Sequence, residues 1–143
     1  MFTRLDHVGI VCHDLEATAA FYRSVFGFDA VHREVIESQG IREVLMRVNG
    51  TDDGHETCLQ LIAPVREDSA VSAWLARHGE GVHHLAFGTA DVRAAILGLP
   101  PGGPAALFDP PRTGSRGTAV TFLHPRDCHG VLTELVEMPR PPA

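Results

Sequence analysis

The chain is written twice, and this repeat constrains its fold more than any other feature of the sequence. Laying LDHVGIVCHDLEATAAF (5–21) over GVHHLAFGTADVRAAIL (81–97) puts His7 on His84, Asp14 on Asp91, Leu15 on Val92 and Ala17 on Ala94. Near the far end of each copy, CLQLIAP (58–64) lies over LTELVEMP (132–139), and Gln60 falls on Glu134 at nearly the same offset. Each copy opens with a short strand, turns at an Asp suited to cap a helix, and continues with apolar residues at helical spacing. Two like modules follow, residues 1–66 and 80–138, joined by a linker helix at 69–78 and ending in a frayed tail, 139–143.

The coarse pattern is βαβββ, a linker helix, then βαβββ. The first copy reads as strand 4–11, helix 14–26, and strands 28–36, 40–48 and 57–63. Its helix repeats Leu15, Ala19, Tyr22 and Phe26, and Gly27 is placed to stop it. Asn49–Gly54 is rich in turn residues and reads as a loop. Val71, Trp74 and Leu75 give the linker helix one apolar stripe. The second copy reads as strand 82–88, helix 91–98, and strands 105–109, 117–123 and 130–137. Its helix is cut short by PPGGP (100–104), because proline and glycine both end helices. The class is α+β, and 143 residues fit one domain.

Composition narrows the function. No apolar run approaches the roughly 20 residues of a membrane helix, and MFTRLDHVGI begins a strand rather than a secretory signal. Cys12, Cys58 and Cys128 are odd in number and far apart, so a disulfide framework is not expected and a reducing cytoplasm is the expected home. The net charge is −6 and no basic cluster tracks phosphates, which argues against nucleic acid. Nine histidines point instead to metal or proton chemistry.

Adjacent His83 and His84 cannot serve one site from one strand, since successive side chains take opposite faces. Val8 with Ile10, and Leu85 with Phe87, are the larger apolar pairs and are expected to face the helices as core. The other face then carries His7 with Gly9 and His84 with Ala86, each histidine beside a small residue that leaves its ring room. His83 aligns with Asp6, on the helix side. By the same alternation Gln60 and Glu134 point away from their flanking apolar residues. Polar groups in mid-strand are costly without partners. Two histidines, a glutamine and a glutamate at matching positions of a duplicated unit could meet that cost at one divalent cation, leaving up to two octahedral positions open. A lone strand histidine is more often structural than a ligand; the symmetry of the four raises the case. His13, His32, His55 and His78 lack it and read as surface, and His124 and His129 lie in a turn, FLHPRDCHG.

These segments resemble the vicinal-oxygen-chelate superfamily and, within it, the methylmalonyl-CoA epimerases. LDHVGIV, ESQGIREVLMRV, LQLIAP, WLARHGEGVHHLAF and FLHPRDCHGVLTELV are all similar to segments of that family, in order along nearly the whole chain. DHVGI alone is a weak signal; GEGVHHLAF together with FLHP…GVLTEL is more specific. The resemblance implies two pseudo-symmetric modules forming a cupped mixed sheet around a metal site. It places the metal ligands on His7, Gln60, His84 and Glu134, and the proton-transfer pair on Glu43 and Glu134. From spacing alone Glu43 reads as an exposed charge near Arg42 and Arg47. GLPPGGPAALFDPP departs from the family, which usually has a longer helix there.

The resemblance further implies epimerisation of methylmalonyl-CoA by α-proton removal and return through a metal-stabilised enolate. It implies a divalent ion, with Co2+ favoured and Ni2+, Mn2+ or Zn2+ also suitable, and a homodimer. RTGSRG (112–117) is a candidate for the CoA diphosphate, against a reading as a solvated loop. Rival readings on the same positions are a glyoxalase-type lyase or isomerase, an extradiol-type dioxygenase using His7, His84 and Glu134, and a metal-free protein that sequesters a drug.

Overall fold

The computed structural model describes residues 1–48 and 56–139. The expected loop Asn49–Gly54, the surface assignment of His55 and the tail residues 140–143 lie outside the described residues. The elements run β1 (Phe2–Val11), α1 (Leu15–Phe26), β2 (Asp29–Ile36), β3 (Ile41–Arg47), β4 (Cys58–Pro64), α2 (Ala70–His78), β5 (Gly81–Thr89), α3 (Val92–Leu97), β6 (Arg112–Thr113), β7 (Ala119–Leu123) and β8 (Thr133–Glu137). The βαβββ order stands twice, with α2 between, as the repeat implies.

Local chemistry sets the helix ends. Asp14 accepts from the Ala17 amide at 3.0 Å and Asp91 from the Ala94 amide at 2.9 Å, so the aligned aspartates are indeed equivalent caps. Ser69 caps α2 in the same way, accepting from Ser72. Gly27 stops α1 in the left-handed region at φ 73°, donating to the Arg23 carbonyl.

The chain divides into two compact units, His7–His83 and Met1–Asp6 with His84–Ala143. The divisions fall inside β1 and β5, immediately before His7 and His84. In the first unit the strand order is β2-β3-β4-β1, with β4 parallel to β1 and the other neighbours antiparallel. The second repeats it as β6-β7-β8-β5, with β8 parallel to β5. The register is duplicated as well: Gly9 pairs with Gln60, and Ala86 pairs with Glu134.

Each unit has its own core. In the first, Leu15 and Ala19 of α1 pack with Val44, Met46, Leu61 and Ala63 on one face of the sheet. Val71 and Leu75 of α2 pack with Val11, Ile41 and Ile62 on the other. Each Val, Leu, Ile or Met side chain among them contributes about 1.5–3 kcal/mol when fully buried. In the second unit Val92 and Ala95 of α3 pack on Leu123 and Leu135, while Ala86, Val120 and Val136 cluster separately, on the opposite side of β8 from Leu135.

Two expectations are corrected. Residues 105–109 do not form a strand; Ala106 makes a single bridge to Leu123, and the strand that pairs with β7 is Arg112–Thr113. Pro110 and Pro111, which lack ladder N–H groups, interrupt the segment between them. Leu85 and Phe87 are not core: Leu85 is half-buried, and Phe87 is 36% exposed beside the Phe2 ring at 6.4 Å. The six-residue α3 packs mainly on β7 and β8. Cys12, Cys58 and Cys128 are not joined in a disulfide. Among the described residues no helix is long and apolar enough to cross a membrane.

Candidate active site

In the His7–His83 unit, β1, β4 and β3 bring three polar side chains to the face opposite α1. His7 is buried near the start of that stretch of β1. Gly9, with no side chain, pairs with Gln60 and leaves its amide room. Glu43 pairs with Ile62, one diagonal step from Gln60. Gln60 Nε2 donates to Glu43 Oε2 at 2.5 Å. Glu43 is only 1% exposed, so its reading as a solvated charge near Arg42 and Arg47 is overturned. Gln60 Oε1 is buried and has no hydrogen-bond partner among the described residues. An unsatisfied buried acceptor costs about 1–3 kcal/mol, so this oxygen is suited to an electrophile such as a cation.

The edge strand β2 adds two residues that the sequence reading left at the surface or unmentioned. Glu34 pairs with Glu43 across the β2–β3 hairpin. His32, two residues earlier and therefore on the same face, sets Nε2 2.9 Å from Glu34 Oε1 and 3.7 Å from Glu43 Oε1. The surface assignment of His32 is thereby corrected: its side chain is 32% exposed and reaches the buried carboxylate. The detectable signal was the two-residue alternation combined with a hairpin folding at Gly40.

In the second unit, β5 and β8 place His84 and Glu134 side by side. Both are buried, with His84 Nε2 3.0 Å from Glu134 Oε2. The Phe122 ring stands edge-on to His84 at 5.8 Å. Phe108 stands edge-on to Phe122, and the Arg112 guanidinium lies 3.8 Å above Phe108. Burial pushes Arg112 below its usual range, and the Glu134 charge opposes that shift. The RTGSRG segment is not a solvated loop. Ser115 is buried, and Arg116 donates to buried Asp6 at 2.9 Å, alongside Arg4 at 2.8 Å.

The face assignment of the paired histidines holds within each unit. His83 packs edge-on against Trp74 of α2, ring centroids 5.0 Å apart, while the next residue, His84, meets Glu134. His13 and His78 are exposed, His78 stacking on Trp74, and His124 accepts from the Arg126 amide inside a tight turn. Of the expected site residues, the structure joins Glu43 to Gln60 and His84 to Glu134, each pair within its own unit. His7 and the orphaned amide oxygen of Gln60 in one unit, and His84 and Glu134 in the other, are donor types that suit a divalent transition ion.

Known proteins resemble this chain in sequence and in fold. The sequence profile of the Glyoxalase/Bleomycin resistance protein/Dioxygenase superfamily matches residues 6–122. A structure of Streptomyces coelicolor methylmalonyl-CoA epimerase (E43Q) in complex with 2-nitronate-propionyl-CoA superposes with a TM-score of 0.92 at 56% identity, covering 98% of this chain and 100% of that one. The mitochondrial methylmalonyl-CoA epimerase of Homo sapiens is 32% identical over 133 residues, 92% of this chain and 72% of that protein. The ethylmalonyl-CoA/methylmalonyl-CoA epimerase of Cereibacter sphaeroides is 31% identical over 140 residues, 96% of this chain and 100% of that protein.

Proposed function

The chain belongs to the Glyoxalase/Bleomycin resistance protein/Dioxygenase superfamily and, within it, to the methylmalonyl-CoA epimerases; from that premise we propose that it is an isomerase interconverting the (R) and (S) forms of methylmalonyl-CoA by moving the α-proton between two glutamates. The observation that carries this reading is Glu43, a carboxylate buried on a strand face and held by a short hydrogen bond from Gln60.

The reacting carbon lies between a thioester and a carboxylate, so its proton is acidic enough for a carboxylate base to remove. Inversion needs removal on one face and return on the other, which two acid/base groups perform without turning the intermediate over. Glu43 takes or returns the proton on one face, and Glu134 acts on the opposite one. The Gln60 N–H fixes the orientation of the Glu43 carboxylate, and His84 orients Glu134. His7, Gln60, His84 and Glu134 would together hold one divalent ion, with Co2+ preferred among Co2+, Ni2+, Mn2+ and Zn2+. When bound, such an ion supplies Lewis-acid stabilisation of the negative charge that proton removal builds on the thioester oxygen. Arg112 and Arg116 are the basic residues proposed to meet the CoA diphosphate. Two modules in one domain, a homodimer and a cytoplasmic setting complete the reading.

The test follows deuterium entry at the α-carbon of methylmalonyl-CoA in D2O, with protein stripped of metal and then reloaded. Wash-in that tracks epimerisation and returns on reloading is the expected result. Epimerisation undiminished in stripped protein would remove the metal from the scheme, and absence of wash-in would remove the proton transfer.

A further inference from the structure

We propose that Phe122, braced by Phe108, sets which α-substituent the protein accepts: its ring is the wall against which the alkyl group of the acyl chain rests, and it favours methyl over ethyl. This rests on Glu134 being one of the two bases.

Glu134 stands between two unlike neighbours in its own unit. Ala86 of β5 lies opposite it on one side and Phe122 of β7 on the other. Residues directly opposite one another share a face of the sheet, with Cβ atoms about 5 Å apart. On that face His84 meets the carboxylate at 3.0 Å, and the Phe122 ring stands 5.8 Å from the imidazole. Phe122 is only half-buried, so part of it stays accessible. A base that removes an α-hydrogen holds the α-carbon about 3–3.5 Å from its oxygen. The groups on that carbon then lie within reach of the ring. The thioester and the carboxylate are polar and gain nothing from an aromatic surface without hydrogen-bonding groups. The alkyl group does gain, because contact with the ring removes it from water.

The ring has little freedom to retreat. Phe108 stands edge-on to it, centroids 6.4 Å apart, and the Arg112 guanidinium lies 3.8 Å above the Phe108 ring. The brace is itself tied down. The Phe108 N–H donates to Thr121 Oγ1 at 3.1 Å, and that hydroxyl donates to the Phe108 carbonyl at 2.8 Å. The Leu107 N–H donates to the Phe122 carbonyl, also at 2.8 Å. A wall packed in this way does not admit one extra methylene without displacing a neighbour. Phe108 belongs to GLPPGGPAALFDPP, so the brace comes from the stretch in which this chain departs from its family.

The experiment compares kcat/KM for methylmalonyl-CoA and ethylmalonyl-CoA with metal-loaded protein. The unsubstituted protein is expected to favour the methyl substrate. Phe122→Leu opens space beside Glu134 and should raise the ethyl-to-methyl ratio by about 10-fold, the lower end of what one methylene commands in an apolar pocket. Phe108→Leu loosens the brace and should shift the ratio the same way by less. Thermal melts accompany both variants, and Phe108→Leu carries the test if Phe122→Leu does not fold. A ring that only supports the fold would slow both substrates together and leave their ratio intact. That result, or equal turnover of the two substrates by the unsubstituted protein, would overturn the assignment. Failure of the unsubstituted protein to epimerise either substrate would instead overturn the proposed activity, and this inference with it.

Discussion

Gln60 and Glu43 are joined by a 2.5 Å hydrogen bond from amide Nε2 to carboxylate Oε2, while the amide Oε1 lies buried with no hydrogen-bond partner among the described residues. The two ends of one side chain therefore have separate tasks. The nitrogen orients Glu43, the proposed base, and the oxygen is placed to meet an electrophile. Their placement follows from the sheet: Gln60 sits opposite Gly9 on one side and Leu45 on the other, a step from Glu43 on the same face.

Separating these tasks gives a first test. Gln60→Ala removes both and is expected to lower cation affinity and turnover by about 10- to 100-fold each. Gln60→Glu keeps an oxygen donor but deletes the N–H and sets a second carboxylate beside Glu43. It is expected to retain the cation, read by isothermal titration, while losing most turnover. Equal loss of cation and turnover in both variants would merge the two tasks into one.

Glu43→Ala should keep the bound cation and the fold but lose epimerisation by about 10²- to 10⁴-fold, the usual contribution of a positioned general base. Metal analysis and a thermal melt accompany the rate measurement. Full turnover would rule out the scheme with two bases.

Much of this was legible because the repeat carries its own controls. Asp14 and Asp91 share a capping task, and His7 and His84 share a strand face, so each copy checks the other. The misreadings have physical causes. The apolar run Ala105–Phe108 looks like a strand, but the prolines that follow remove its ladder donors. Phe87 looks like core, yet it stays 36% exposed, while the six-residue α3 packs mainly on β7 and β8. Glu43 sits beside Arg42 in a pattern typical of a solvated strand, and only the packing of β2, β3 and β4 reveals its burial. His32 depended on knowing the hairpin register, which sequence spacing alone leaves open.

Alkaline stability offers a probe away from the catalytic groups. Burial pushes the Cys12 thiol above its ordinary range; a hydrogen bond with Thr18 opposes this, and the charges of Glu80 and Asp14 add to it. The folded chain thus holds this proton more tightly than the unfolded one. Its contribution is complete below the ordinary thiol range, near pH 8.5, and is lost as pH rises toward the elevated folded value. Stability should fall through that window, and Cys12→Ala should flatten the slope by up to about 1.4 kcal/mol per pH unit, despite a lower baseline from lost packing. Urea melts between pH 7 and 10 measure the slope, and identical slopes would assign the alkaline loss to other groups.

The adjacent histidines give the sharpest contrast, because neighbours on one strand have opposite tasks. His84→Ala deletes a proposed ligand and leaves buried Glu134 without the ring 3.0 Å away, so cation binding should be lost and the melting temperature lowered. His83→Ala removes a ring that packs edge-on to Trp74. It should cost about 0.5–1.5 kcal/mol of stability, while leaving cation stoichiometry and turnover nearly unchanged. Elemental analysis of the purified variants, read beside their melts, separates the two effects. Retention of the ion by His84→Ala with its loss from His83→Ala would reverse the face assignment on which the duplicated site depends, since His7 is placed by the same alternation.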